Sequence, residues 1–247
     1  SRTEAAVNGS DIQAKQDILV RAAGDSWTLA AVIAATASSN SAVSGSVAVS
    51  IFQRYVGAKV TGDAELTAAN GVILVEALGD DFFVNVIVAA GGSSNAAISG
   101  SIPVVVSSST VEAIVDGGFG TGNRASLTAG DSIGVISNLT GKSYLAAGAL
   151  SASGNAAIGA TIDTAVYQNV VTTSVDNAVL KANCQYTSSR EITVPNRHGR
   201  RRGVVVSATA DNSIMTFAVS GGVASAVQNV VKKLAPDVEM KIMGAEG

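Results

Sequence analysis

Ser39-Asn40-Ser41-Ala42-Val43-Ser44-Gly45-Ser46-Val47 returns as Ser94-Asn95-Ala96-Ala97-Ile98-Ser99-Gly100-Ser101-Ile102, and again as Gly154-Asn155-Ala156-Ala157-Ile158-Gly159-Ala160-Thr161-Ile162. The anchoring asparagines lie 55 (95 − 40) and 60 (155 − 95) residues apart. A second marker, Leu or Ile followed by any residue and Ala, recurs as Ile12-Gln13-Ala14, Leu66-Thr67-Ala68, Leu127-Thr128-Ala129 and Leu180-Lys181-Ala182. Its spacings are 54, 61 and 53, so the two markers drift together and report one period. A fixed period of tens of residues is the signature of a solenoid or array. The units run approximately over 8–62, 63–122, 123–177 and 178–235, the last echoing Ala165-Val166-Tyr167-Gln168-Asn169-Val170-Val171 as Ser225-Ala226-Val227-Gln228-Asn229-Val230-Val231.

Within a unit the period is two. Val84–Val88, Ser101–Ser107 and Thr110–Val115 alternate as strands do, and Gly79-Asp80-Asp81, Gly91-Gly92-Ser93 and Asp116-Gly117-Gly118 read as turns between them. Only Val230 to Leu234 carries a hint of a helical stripe. At roughly 20 residues per coil, a unit would hold two or three coils. Propeller blades of this length usually carry Gly-His and Trp-Asp or aromatic signatures, which are absent. In a parallel β-helix each residue sits about 4.8 Å above its equivalent on the next coil, so interior positions must be small and self-complementary. Ala, Val, Ile and Ser meet that demand. The expected fold is all-β, a parallel, right-handed β-helix solenoid of about four degenerate units forming one domain, with an irregular basic loop inserted at 183–203.

Composition agrees. Of 247 residues only 14% are charged and 4% aromatic, with 26 Gly against 3 Pro. The apolar mass is mainly Ala and Val, residues that suit thin stacked sheets. A net charge of −3 offers no basic field for nucleic acid. Cys184 is the only cysteine, which excludes a disulfide framework and a CxxC metal pair and leaves it to be a small, at least partly buried residue. Uncharged stretches such as Ser26 to Gln53 are interrupted by Ser, Thr, Asn or Gly too often for a spanning helix, and the scattered aromatics do not form the girdles of an outer-membrane barrel. The chain is expected not to span a membrane. It starts Ser1-Arg2-Thr3 without Met, as a fragment of a longer protein would.

The block Asn-Ala-Ala-Ile-x-Gly-x-Ile, then Thr110-Val111-Glu112-Ala113-Ile114-Val115, then Leu127-Thr128-Ala129-Gly130-Asp131, resembles the repeats of large filamentous bacterial adhesins related to fusobacterial leukotoxin. The resemblance covers most of residues 1 to 182. It implies a β-helical stalk or passenger region of a long surface protein exported by an autotransporter-like or two-partner route, hence an extracellular, bacterial cell-surface location. The partner implied is a molecule on a host or neighbouring cell. The alternative reading is a self-associating fibre subunit, in which uncapped solenoid ends or exposed strand edges pair with the next chain.

Candidate sites are few. Parallel β-helices also host polysaccharide lyases and hydrolases, whose usual route needs two carboxylates converging on one cleft. Asp80-Asp81 is adjacent and His198-Gly199 resembles the His-Gly of polygalacturonases, but the Asn-Thr-Asp and Arg-Ile-Lys partners of that family are missing. Asp80 falls where neighbouring units place Asp25 and Lys142, so turn residues are the expected reading. Asp116 to Asn123 is the nearest thing to a calcium loop, yet one carboxylate without periodic Asp reads as a turn. A single histidine rules out the usual triads, and no glycine pattern of a nucleotide site precedes a helix. No enzyme activity, metal or cofactor is expected. The stretch that departs most from the repeat is Asn183 to Gly203, with Cys184, Tyr186, Pro195, and Arg197, His198, Arg200, Arg201 and Arg202 in close order. Such departures project as loops from a regular rod. Arg197, His198, Arg200, Arg201 and Arg202 are the candidate contact for an anionic partner such as a sulfated glycan, an acidic lipid or an acidic chain.

Overall fold

In the computed structural model, the described residues are 1–118, 124–185, 190, 192–194 and 201–224. The strands, in chain order, are β1 (Arg2–Asn8), β2 (Asp11–Ala14), β3 (Ile18–Ser38), β4 (Ser41–Thr61), β5 (Glu65–Ala68), β6 (Ile73–Ser93), β7 (Ala96–Asp116), β8 (Ala125–Ala129), β9 (Ile133–Ser153), β10 (Ala156–Thr161), β11 (Thr164–Tyr167), β12 (Val170–Asp176), β13 (Ala178–Ala182) and β14 (Val204–Ala224). They form three parallel sheets. A front sheet runs β14-β9-β6-β3 and a short side sheet β13-β8-β5-β2. A back sheet runs β1-β4-β7-β10, with β11 and β12 also paired to β7. This is the parallel β-solenoid expected from the repeat.

Register explains the period. Ile18 sits on Ile73 and Ile73 on Ile133, offsets of 55 and 60 residues. Each unit is therefore a single coil, not the two or three expected. It supplies one 21-residue strand to the front sheet and a strand of four or five residues to the side sheet. The first two full coils supply another 21-residue strand to the back sheet, which in the third is divided among β10, β11 and β12. The error lay in the punctuation. Gly79-Asp80-Asp81 and Gly91-Gly92-Ser93 are not turns but lie inside or at the end of β6. Asp116-Gly117-Gly118 does close β7, with Asp116 Oδ1 accepting the Gly118 N–H at 2.8 Å. Asp80 stands beside Asp25 and Thr140, while Lys142 lies two positions on, beside Phe82.

The cross-section is a blade with one thick edge. There, all three sheets enclose a triangular apolar core of stacked like residues: Leu66 on Leu127, Val75 on Val135, Val60 on Val115 and Ala68 on Ala129. Burying a Val, Leu or Ile side chain is worth about 1.5–3 kcal/mol, and each stack repeats that gain per coil. Away from this edge the front and back sheets face each other directly across small side chains such as Ser99, Ser101, Ala89 and Ala97.

Turns at the two ends are maintained by backbone and side-chain ladders. At the thin edge, Asn95 Nδ2 donates to Asn40 Oδ1 (3.0 Å) and Asn155 Nδ2 to Asn95 Oδ1 (3.2 Å). The asparagines that anchor the repeat are thus stacked, and Asn40 and Asn95 also lend their carbonyls to backbone N–H groups of the next coil. At the opposite corner, where back sheet turns into side sheet, Gly9, Gly62 and Asn177 take positive φ (52°, 72° and 45°), a conformation that favours Gly and Asn.

Two side chains interrupt the back sheet in the third coil. Ile162 N–H reaches Ser101 O, but the return bond would come from Pro103, which has no N–H, and the ladder breaks between β10 and β11. Six residues on, Asn169 Oδ1 takes the Ser109 N–H (3.2 Å), separating β11 from β12.

Where the core passes from triangular to flat, a buried ion pair joins the sheets. Arg54 Nη2 lies 3.1 Å from Asp81 Oδ1, with the side chains 4% and 3% exposed. Arg54 Nη1 donates to the carbonyls of Gly24 (2.6 Å) and Asp80 (2.8 Å), and Ser109 Oγ donates to Asp81 Oδ2 (2.8 Å). Gly79 exists to make room, since a Cβ there would lie 2.5 Å from Arg54 Nη2. Burial pushes the Asp81 carboxyl above its ordinary range against the opposing pull of Ser109 and Arg54, and it lowers the Arg54 pKa. Breaking such a pair costs far more than replacing it. Asp81→Asn should therefore destabilise the protein by about 3–5 kcal/mol in guanidinium unfolding, while Arg54→Met combined with Asp81→Leu should unfold at or above the parent midpoint. A silent Asp81→Asn would show that water, not Asp81, solvates Arg54.

Candidate functional site at the basic insertion

Between side sheet and front sheet the first three coils use three, four and three residues: 15–17, 69–72 and 130–132. The fourth uses 21, residues 183–203. The insertion begins as a continuation of the solenoid. Asn183 N–H bonds Ala129 O (3.0 Å), Gln185 N–H bonds Gly130 O (2.8 Å), and Cys184 N–H bonds Asp131 O (2.9 Å). Cys184 then takes φ of 57°, a left-handed conformation uncommon for such a residue, and is half-buried.

It next folds back on the front sheet. Ile192 is 1% exposed and packs on Leu74 and Ile136, which point outward from β6 and β9, with Val205 alongside. Gly134 provides the space, because a Cβ there would lie 2.7 Å from Leu74 Cδ1 and 3.3 Å from Ile192 Cδ1. Ile192 and Arg201 form an antiparallel bridge, the Arg201 N–H reaching Ile192 O at 3.3 Å. Arg190 Nε donates to Asp17 Oδ2 of the first coil (3.1 Å), tying the fourth coil to the first across the corner.

This arrangement gathers three arginines. Arg190, Arg201 and Arg202, with Val72, Asp131, Ser132 and Ile192, line a cavity of about 20 Å³. That volume holds one water and no sugar ring, so any recognition takes place on the surrounding surface. Asp131 is buried and accepts from Ser132 Oγ (3.0 Å), while Ser132 Oγ in turn accepts the N–H of Gly203 (3.2 Å), the residue before β14. Arg201 and Arg202 are exposed. Asp17 and Asp131 are the carboxylates described beside these three guanidinium groups, and Asp17 is paired with Arg190.

Of the residues expected to contact an anion, Arg201 and Arg202 are thus brought together, and Arg197, His198 and Arg200 lie outside the described residues, as do Tyr186, Pro195 and Val230 to Leu234. Arg190 was missed because it precedes the dense arginine run. The alternation Ile192-Thr193-Val194, with Ile192 and Val194 buried and Thr193 exposed, was the available signal that this loop docks. Asp80 and Asp81 do not form a catalytic pair: neighbours on one strand point to opposite faces, Asp80 to solvent and Asp81 into the ion pair with Arg54. Among the described residues no helix is long and apolar enough to cross a membrane. No family model, curated protein or solved structure matches the chain.

If Ile192 is the anchor, Ile192→Ala should weaken docking by at least about 2 kcal/mol. Trypsin should then cut within 183–203 about 30-fold faster, following the larger open population, with the global unfolding midpoint little changed. Equal cleavage rates would show that Ile192 does not hold the insertion.

Proposed function

We propose that this chain is a structural, adhesive segment of a bacterial cell-surface filament, a stiff stack of coils that carries contact surfaces away from the cell. The observation that supports it is the in-register parallel pairing of front and side sheets through every described coil. Coils so matched add to one another through nearest-neighbour contacts alone, which is how solenoids extend. The basic insertion supplies a second element, a cationic corner held against the stack. Its partner is an anionic surface molecule, with sulfated glycan the chemistry best suited to planar guanidinium forks.

Two measurements test the reading. Solution scattering should give a radius of gyration above the about 18 Å of a compact chain of this length, as strands about 70 Å long in a short stack require, and a compact sphere would sink the stack on which the filament role rests. Heparin retention should be salt-sensitive and fall on replacing Arg200, Arg201 and Arg202 with Ser. Unchanged retention would remove the anion site.

A self-associating fibre subunit is the second reading, favoured by one observation. β3 and β14 are edge strands of 21 residues, neither paired further among the described residues. Unprotected edges of that length invite pairing with another chain. The charged tail from Lys232 to Asp237, a candidate cap, lies outside the described residues. A polysaccharide-active enzyme on the same scaffold has no paired carboxylates at Asp80-Asp81 to work with, and product release from pectic or sulfated polysaccharides would be needed to revive it.

A further inference from the structure

The outward charges of the front sheet stop along a stepped line. On the front sheet it is marked by Asp25, Asp80, Lys142 and Asp211, and beyond it residues 26–53, 82–111, 143–162 and 212–224 contain no charged residue. Outward positions past this line are apolar or small on all four strands. They include Trp27 (68% exposed), Leu29, Ile33 (79%), Tyr144, Met215 and Phe217 (65%). In register, Trp27 stands beside Phe82, Leu29 in line with Val84, Tyr144 and Met215, and Ala146 beside Phe217.

From the row of Leu29 to the row of Ala37 this surface extends about 26 Å along the strands and about 19 Å across four of them, or about 500 Å²; Trp27 and Phe82 stand one row outside it, in register with the exposed Lys142. Monomeric soluble proteins seldom leave so large a contiguous apolar patch in water. We propose that the front face is covered by the same face of a second copy of this chain, the two sheets packing face to face with Tyr144 and Phe217 in the contact and Trp27 at its rim.

Three features select that occupant. A face lacking charge can meet itself without like-charge repulsion. Doubling about 500 Å² gives about 1,000 Å² buried in total, the lower bound of a specific interface, and aromatic anchors are what the centre of such an interface uses. Lipid fits less well. Sinking this face into hydrocarbon would carry the edge strands β3 and β14 with it, and each unpaired backbone group there costs several kcal/mol. Packing against a copy leaves those edges in water. The pairing is lateral, through a sheet face, and is distinct from growth through strand edges or solenoid ends.

Trp27, the sole tryptophan, reports on its own burial. In sedimentation velocity over a concentration series, the intact chain should shift from one to two copies. Trp27 emission should move to the blue over the same range. The double variant Leu29→Lys with Phe217→Lys, both at exposed outward positions and so expected to keep the parent circular dichroism and melting curve, should stay single with red emission. Val47→Lys, on the outer face of the back sheet, should associate as the parent does. The proposal is overturned if the parent stays single at every concentration, or if the double variant still associates, which would place the contact at edges, ends or the other face. It is equally overturned if Trp27 moves to the blue only on adding phosphatidylcholine vesicles, independently of protein concentration.

Discussion

Everything in this molecule depends on one constraint: each residue must be compatible with its equivalent one coil away. Parallel pairing at an offset of 53 to 61 residues, and 71 across the insertion, places Leu on Leu, Val on Val and Asn on Asn, so a side chain is selected for fitting a copy of itself. This accounts for the composition. Ala, Val, Ser and Gly stack at about 4.8 Å without clashes, whereas bulky aromatics do so only where there is space beside them. It also accounts for the drift in period, because insertions are tolerated only at corners, where they leave the stack undisturbed.

A second consequence concerns polar groups. The flat part of the blade has too little width for a large apolar core, and its interior carries serines, Asn85 and the Arg54–Asp81 pair. A buried ion pair is weak evidence for stability, since its desolvation cost offsets much of the attraction. What it supplies here is position: Arg54 in the first full coil bonds backbone carbonyls of both first and second coils, while Asp81 and Ser109 belong to the second. An apolar pair would fill the same volume and lose that cross-coil register. The asparagine ladder at the thin edge acts likewise, satisfying side-chain amides while requiring that each coil begin its return at the same height.

The sequence was informative where self-matching dominates and misleading where it does not. The Asn-Ala-Ala-Ile block marks the thin-edge turn, and the Leu-x-Ala marker is the side sheet itself, so period and fold class were both legible. Coil size was not. Gly79 and Asp81 look like turn residues, yet the glycine is the socket for a guanidinium and the aspartate its counter-ion. Arg54, 27 residues earlier in the chain, comes close to them only once the coils are stacked. The basic insertion was legible as a departure from the period. Its docking through Ile192 was not, since the covering surface of Leu74 and Ile136 belongs to earlier coils.

Coil size also changes what the scaffold is suited to do. One coil of roughly 55 residues adds only about 4.8 Å along the axis, while its strands extend about 70 Å across it. A solenoid built only for reach would use short coils, as the expected 20-residue coil would have done. This one puts most of its residues into two broad faces and keeps charge off their outer halves. Arg54, Asp81, Asp17 and the arginines of the insertion lie toward the thick edge, while the flat part of the blade presents uncharged outer faces and encloses one carboxylate, Asp163, level with Pro103. Different parts of one coil are therefore built differently: stacked apolar core at the thick edge, broad uncharged sheet on the outer faces, and arginines at the corner where the period is broken.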